Sequence, residues 1–325
     1  MTKTTVQEQA TTATNNTTVN VEYENDSTYW DELSSYSASL TSSVLNYRHE
    51  NGRRYHKYRD GSYLLPNDEP ENDRLDMVHE MCLVMLHRKL YLAPIKNPQQ
   101  VIDLATGTSL WAIDFADQHP QAEIKDTVIG CDLRPIQPTL VPPNVKFLVD
   151  DIESDWAYER NPFDYIHARF LALSIKNYEK VIRECYRSVK PGGWVEFQDW
   201  DVNPTSEDGS LKGIALERYY ITKSTAPSRG RGKHPRGENC RFLRCLDKDK
   251  YLSVFIPFMK LGAWNQAQAE ANGFEAGALA VLTRYKNWSK EEVTVLASQA
   301  RADGQRRDIH MVHDFYIVYG QRPED

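Results

Sequence analysis

Residues 101–109, Val-Ile-Asp-Leu-Ala-Thr-Gly-Thr-Ser, constrain the fold more than any other stretch. An apolar run ends in an acid and a small-residue turn, and an amphipathic helix, Leu110 to Gln118, starts at once. Strand, tight turn and helix in that order aim backbone N–H groups and a helix N-terminus at a ligand. Gly107 is the one glycine of the turn, and its missing Cβ lets the backbone approach a ligand closely. Ala105 and Ser109 stand where loops of this kind usually carry glycine. If position 105 needs a left-handed backbone, Ala105 costs about 1–2 kcal/mol. The Ser109 hydroxyl is placed to cap the following helix.

Downstream, apolar strands alternate with helical stripes. Strands are expected at Val101–Leu104, Thr127–Asp132, Val145–Asp150 and Phe163–His167. Tyr178, Val181, Ile182, Cys185 and Val189 form a helical stripe, and Lys190-Pro-Gly-Gly193 turns the chain into a fifth strand, Trp194–Gln198. Connections of this length predict an α/β, doubly wound, mostly parallel sheet covered on both faces, with its ligand crevice at the carboxyl ends of the strands. Further on, the pattern predicts helices over Leu211–Thr225 and Ser289–Ala302, and strands over Tyr251–Phe258 and His310–Tyr319.

Acids close the first three strands. Asp103 ends the first and is placed to meet a ligand amine. Asp132 ends the second and suits a bidentate bond to ribose hydroxyls. Asp151 follows the third, where it suits an adenine amino group with Ile152 packed on the ring. One acid after a strand is more often a cap or turn residue; three at successive strand ends are a joint signal. A dinucleotide fingerprint, Gly-x-Gly-x-x-Gly, fits neither the glycine count nor the spacing. His167, at the end of the fourth strand, is a candidate base for an acceptor hydroxyl or amine, against a purely structural histidine. Arg169 is a candidate for a ligand carboxylate, against a surface ion pair. Tyr55 and Tyr58 are candidates to cover the ligand. Asp199 and Asp201 read as capping residues.

Several linked motifs carry a closer resemblance. They are Thr41 to His56, Tyr63-Leu-Leu-Pro-Asn-Asp68, Trp111 to Ala116, Pro135-Ile-Gln-Pro138, Val141 to Val145, His167-Ala-Arg169, Lys190 to Asp199, Trp288 to Val293 and Phe315 to Gly320. Together they resemble the LaeA-like fungal class I methyltransferases over roughly residues 40–205 and 280–322. The resemblance implies a Rossmann-like fold, S-adenosylmethionine as cofactor, and a small-molecule methyl acceptor in fungal secondary metabolism. It also implies an alternative, a regulator working with protein partners in a nuclear complex; a non-methylating enzyme on the same fold is a third reading. The family loop reads Gly-Thr-Gly-Thr-Gly, so Ala105 and Ser109 depart from it, as does the basic segment 229–258.

The expected organisation is a disordered Thr/Asn-rich tail (1–28) and a helical N-terminal cap (29–95). The cap carries helices at Ser34–Tyr47 and from Asn72 or Asp73 to Leu92, the latter stopped by Pro94. A cofactor-binding core (96–204) and C-terminal helices with a closing strand (205–325) follow. A formal net charge of −7 argues against nucleic acid as a partner. Neither a signal-peptide core nor a run long enough for a membrane span is expected, so the place of action is cytoplasmic or nuclear. Cys82, Cys131, Cys185, Cys240 and Cys245 are read as free thiols of a reducing compartment. His234, Cys240 and Cys245 do not complete a zinc set, and no metal is expected.

Overall fold

A computed structural model describes residues 47–120, 127–158, 162–172, 174–225, 252–257 and 273–324, all within one compact unit, Leu40–Asp325. The Ser34–Tyr47 helix, the 1–28 tail, most of the basic segment, Cys240 and Cys245 lie outside these residues, apart from Tyr47 itself.

The described part opens with a hairpin, β1 (Tyr47–Glu50) and β2 (Arg53–His56). Asn51 and Gly52 both take positive φ, 54° and 82°, at its turn. Asn-Gly is the pair that a tight hairpin of this hand favours. The N-terminal region is therefore not purely helical: the hairpin precedes its described helix, α1 (Glu69–Met85). Asp68 caps α1 by accepting from the Glu71 N–H, and Pro70 sits in the first turn, where no N–H is needed. This helix ends well before Leu92. His87 and Arg88 turn left-handed (φ 53° and 66°), and the Arg88 N–H returns to the Leu83 carbonyl at 2.6 Å. Local backbone geometry, rather than Pro94, stops it.

The core follows as β3 (Gln100–Leu104), α2 (Leu110–Gln118), β4 (Thr127–Asp132), β5 (Val145–Val149), β6 (Phe163–Arg169), α3 (Tyr178–Ser188) and β7 (Val189–Trp200). Then come α4 (Ala215–Ser224), β8 (Leu252–Pro257), α5 (Gly273–Lys286), α6 (Lys290–Gly304) and β9 (Asp314–Gln321). The seven-stranded sheet has the order β5-β4-β3-β6-β7-β9-β8. Its first five strands are parallel, whereas β9 runs antiparallel to both β7 and β8. The strand order reverses direction between β3 and β6, so the crevice of a doubly wound sheet falls at the ends of these two strands. Several boundaries shift from the sequence pattern: Lys190–Gly193 lie within β7, helix α4 starts at Ala215 rather than Leu211, and β9 starts at Asp314 rather than His310.

Every residue of β4 is buried, as a strand covered on both faces requires. In one layer, Trp111, Phe115, Tyr165 and Val128 pack with Leu83 and Leu90. α1 packs on β9 through Met81, Met85, Phe315 and Ile317. Helices α4, α5 and α6 share a cluster of Leu216, Leu279, Leu282, Val293 and Leu296. Ser289 and Glu292 form a capping box at the start of α6. The hairpin is tied to both neighbours. Arg53 makes two 2.7 Å bonds to the Asp68 carboxylate, and Arg284 of α5 meets Glu50 at 3.0 and 2.7 Å.

Candidate functional site

Parallel pairing places Asp103 beside Gly130 on one side and His167 on the other. Beyond these strand ends lies a cleft lined by Asp103, Ala105, Thr106, Gly107, Asp132, Asp151, Ile152 and Arg169, among others. The turn is held by the Thr106 N–H on the Cys131 carbonyl and by the Gly107 N–H on Asp132 Oδ2, at 2.9 and 2.8 Å. Ala105, Gly107 and Ser109 all take positive φ, at 54°, 60° and 68°. Position 105 does need a left-handed backbone, so Ala105 and Ser109 each carry strain of about 1–2 kcal/mol that glycine would not. Ser109 does not cap α2: its hydroxyl bonds the Thr108 carbonyl, because the left-handed backbone turns it from the helix N–H groups.

The acids are held by the protein itself. Asp103 accepts from Thr106 Oγ1 at 2.6 Å and faces His167 Nδ1 at 2.7 Å. An ionised carboxylate only accepts, so the imidazole proton sits on Nδ1. Asp132 Oδ1 takes the Arg134 N–H and Nε at 3.0 and 3.2 Å, while Oδ2 takes Gly107. A carboxylate offers about four acceptor directions. Asp132 therefore has room for one further donor, less than the bidentate ribose grip read from the sequence. Asp151 pairs with Arg59 at 2.8 Å and accepts from the Glu153 N–H at 2.9 Å. Burial and the neighbouring Asp151 raise the Asp150 carboxyl above its ordinary range.

Arg169 lines the cleft and donates from Nη2 to His79 Nδ1 at 2.8 Å; His79 Nε2 lies 2.9 Å from Asp114 Oδ2. That order places the His79 proton on Nε2, and burial lowers its pKa, so the ring is a neutral strut behind the arginine. Asp199 accepts from the Ala172 N–H across the end of β6, and Asp201 accepts locally from the Asn203 N–H.

Three expected residues, His167, Tyr55 and Tyr58, do not line the cleft. The His167 ring is fully buried and stacks on Trp111 at 3.7 Å, with an interplanar angle of 3°. Its proton donor faces Asp103, which makes it a brace for that acid rather than a base open to an acceptor. Tyr55 is buried 4.9 Å beneath the Arg284 guanidinium. Tyr63 lines the cleft together with Trp111 and Phe170, and Arg134 lies 4.7 Å from the Tyr63 ring centroid. Sequence reasoning missed Tyr63, His79, Asp114 and Arg134. Only Arg134, two residues beyond a strand-end acid, had a local signal.

A second cavity opens beside the first, and Tyr63, Leu75, Val78, Phe170 and Ser174 line both. Its remaining walls come from α1, the end of β7, α4, α5 and the segment before β9. Among the described residues no group of histidines, cysteines and acids is arranged for a metal ion, and no helix is long and apolar enough to cross a membrane.

A strand-end cleft on a sheet of this order, with one antiparallel strand next to its edge, is the architecture of a Rossmann-like class I methyltransferase. A family model described as a methyltransferase domain matches residues 77–244. The methyltransferase pytC of Aspergillus terreus is 37% identical over 305 residues, 88% of this chain and 91% of that one. The secondary metabolism regulator laeA of Aspergillus fumigatus is 31% identical over 291 residues, 84% of this chain and 76% of its own. Among solved structures, phosphoethanolamine N-methyltransferase 2 of Haemonchus contortus, in complex with S-adenosyl-L-methionine, shares the fold with a TM-score of 0.50. Its sequence is 15% identical, over 92% of this chain and 76% of that one. The chain belongs to the LaeA-like fungal family of S-adenosylmethionine-dependent methyltransferases.

Proposed function

We propose that the chain binds S-adenosylmethionine in the cleft and methylates a small molecule held in the adjoining cavity, as a tailoring step of fungal secondary metabolism. The observation that carries this reading is the shared wall: a cofactor-type cleft at the strand ends runs into a second chamber through Tyr63, Leu75, Val78, Phe170 and Ser174. The cleft suits an adenosyl amino acid. A Cβ added at Gly107 would meet nothing nearer than 3.9 Å, so the loop backbone stands open to a ligand. In this reading Asp103 takes the ammonium group, Arg169 the carboxylate, Asp132 one ribose hydroxyl, and Asp151 the adenine amine with Ile152 against the ring.

When bound, S-adenosylmethionine supplies an electrophilic methyl on a sulfonium, a displacement that needs alignment and dry surroundings. The chain's own part is to orient: His167 fixes Asp103, the Asp114–His79 pair fixes Arg169, and Phe170 with Val78 excludes water between the chambers. Calorimetric titration with S-adenosylmethionine and S-adenosylhomocysteine tests the reading. Dissociation constants in the micromolar to sub-millimolar range are expected, and no binding at millimolar ligand would overturn it. The relatives named as secondary metabolism regulators support a second reading, in which the same fold works with protein partners in the nucleus. A cytoplasmic or nuclear site of action is part of both readings.

A further inference from the structure

The polar groups of the second cavity are arranged with a marked asymmetry of charge. Arg74, Lys223 and His313 line it, and among the described residues no carboxylate does. Arg74 is already answered: Glu71, next to it on α1, takes two bonds at 3.0 and 2.7 Å. Among the described residues Lys223 has no such counterpart. It lies on α4 with Nζ 5.7 Å from the Tyr219 ring centroid, and a Cβ on Gly277 of α5 would stand 3.0 Å from that nitrogen. A side chain there would make the ammonium give way by a few tenths of an ångström. The rest of the wall is apolar and aromatic, with Leu65, Leu75, Phe170, Trp200 and Phe274. At the polar end, the Tyr220 hydroxyl is 3.3 Å from His313 Nε2, and His313 Nδ1 is 2.9 Å from the Asp201 carbonyl.

Resting on the methyltransferase reading above, we propose that this cavity takes an aromatic, or otherwise flat and apolar, acceptor bearing an anionic oxygen group, with Lys223 as the residue that recognises the anion. A desolvated cation without a partner is costly, and a bound carboxylate or phenolate removes that cost while its ring fills the aromatic walls. Cationic acceptors are refused by the same charge. Burial, with help from the Arg74 charge, lowers the Lys223 pKa to about 8. The ammonium is thus mostly protonated at pH 7 and lost as the pH climbs. The charged and titratable groups around it are Arg74 and Glu71 of α1, Tyr219 and Tyr220 of its own helix, and His313. Glu71 is the one carboxylate among them; it is paired with Arg74 and does not line the cavity.

Three probes of one shape test this on the full chain by calorimetry at pH 7: 2-naphthoate, 2-naphthol and 2-(aminomethyl)naphthalene. We expect 2-naphthoate to bind at least about tenfold more tightly than 2-naphthol, and the amine not to bind at millimolar concentration. In Lys223→Gln the two oxygen probes should bind within about twofold of each other. Lys223→Met serves as a second variant, and melting curves check that both fold. In the natural chain the affinity for 2-naphthoate should fall between pH 7 and pH 10, while in Lys223→Gln it should stay flat. Equal binding of 2-naphthoate and 2-naphthol by the natural chain, or an unchanged preference in both variants, would overturn the proposal. The same samples titrated with S-adenosylhomocysteine separate the two readings. Failure there with the naphthoate preference intact removes the cofactor assignment and leaves Lys223 as an anion site.

Discussion

The two adjoining cavities are built on opposite plans. The cofactor cleft is a crowd of charges, each held by a protein partner: Asp103 by Thr106 and His167, Asp132 by Gly107 and Arg134, Arg169 by His79, Asp151 by Arg59. The second cavity is mainly aromatic and aliphatic, with one cation, Lys223, left without a carboxylate among the described residues. A pre-satisfied site orients a fixed ligand, because its groups do not move when the ligand arrives. An unsatisfied one selects among ligands, because only the right partner relieves it. The same fold thus joins a rigid half to a discriminating half.

The contrast breaks most easily at Asp132. Removing it leaves Arg134, 3% exposed, without its counter-charge, so Asp132→Ala is expected to lower the unfolding free energy by about 3–5 kcal/mol. It should also weaken S-adenosylhomocysteine at least about tenfold through the lost acceptor. Adding Arg134→Met should restore most of the stability and none of the binding. Urea denaturation and calorimetry read the two effects apart, and natural affinity in the single variant would take Asp132 out of the site.

The next effect is set by pH. His56, on the hairpin near Asp132 and Arg134, has its pKa lowered to about 4, first by burial and then by the Arg134 charge. The unfolded chain takes up that proton near pH 6.5. Stability from the neutral ring is therefore complete above pH 6.5 and lost as the pH falls through about 4, a change of about 3 kcal/mol. His56→Phe should flatten the slope of urea midpoints between pH 7 and pH 4. A slope unchanged by the substitution would place the acid sensitivity elsewhere.

Smaller and of opposite sign is the strain in the loop. Ala105→Gly with Ser109→Gly should raise the unfolding free energy by about 1–2 kcal/mol, the relief at two left-handed positions less the extra chain entropy of glycine. Binding of S-adenosylhomocysteine should be kept or tightened, by less than about 2 kcal/mol. The smallest change belongs to the second cavity. The Tyr219 hydroxyl donates to the Phe274 carbonyl at 2.9 Å, and Tyr219→Phe should cost about 1 kcal/mol with no effect on S-adenosylhomocysteine. A large loss of cofactor affinity there would show that the two chambers are not built independently.

The rigid half was largely legible in the sequence because its parts are local. Strand, turn and acid follow one another in Val101–Ser109, and the same reading found β4, β5, β6 and α3 with small shifts. What stayed hidden depends on separation or on backbone sign. His79 and Asp114 come from different helices and meet only through packing, and the orientation of His167 depends on a Trp111 stack that no spacing reveals. The Asn51-Gly52 hairpin was present as a turn signal and went unread among polar neighbours. The second cavity has no linear trace, because its walls come from segments as distant as Tyr63 and His313.

The hairpin's ties have a consequence for modular exchange. Glu50 reaches Arg284, and Arg53 reaches Asp68, so the strand pair bolts the C-terminal helices to the start of α1. Specificity in such a family would be expected to travel with the helices that wall the second cavity. Transplanting those helices alone between relatives would strand Glu50 against a foreign surface and loosen the covering of the cleft. Residues 47–68 belong with the helices at 215–224 and 273–286 despite the long intervals between them, and a functional chimera has to move all three.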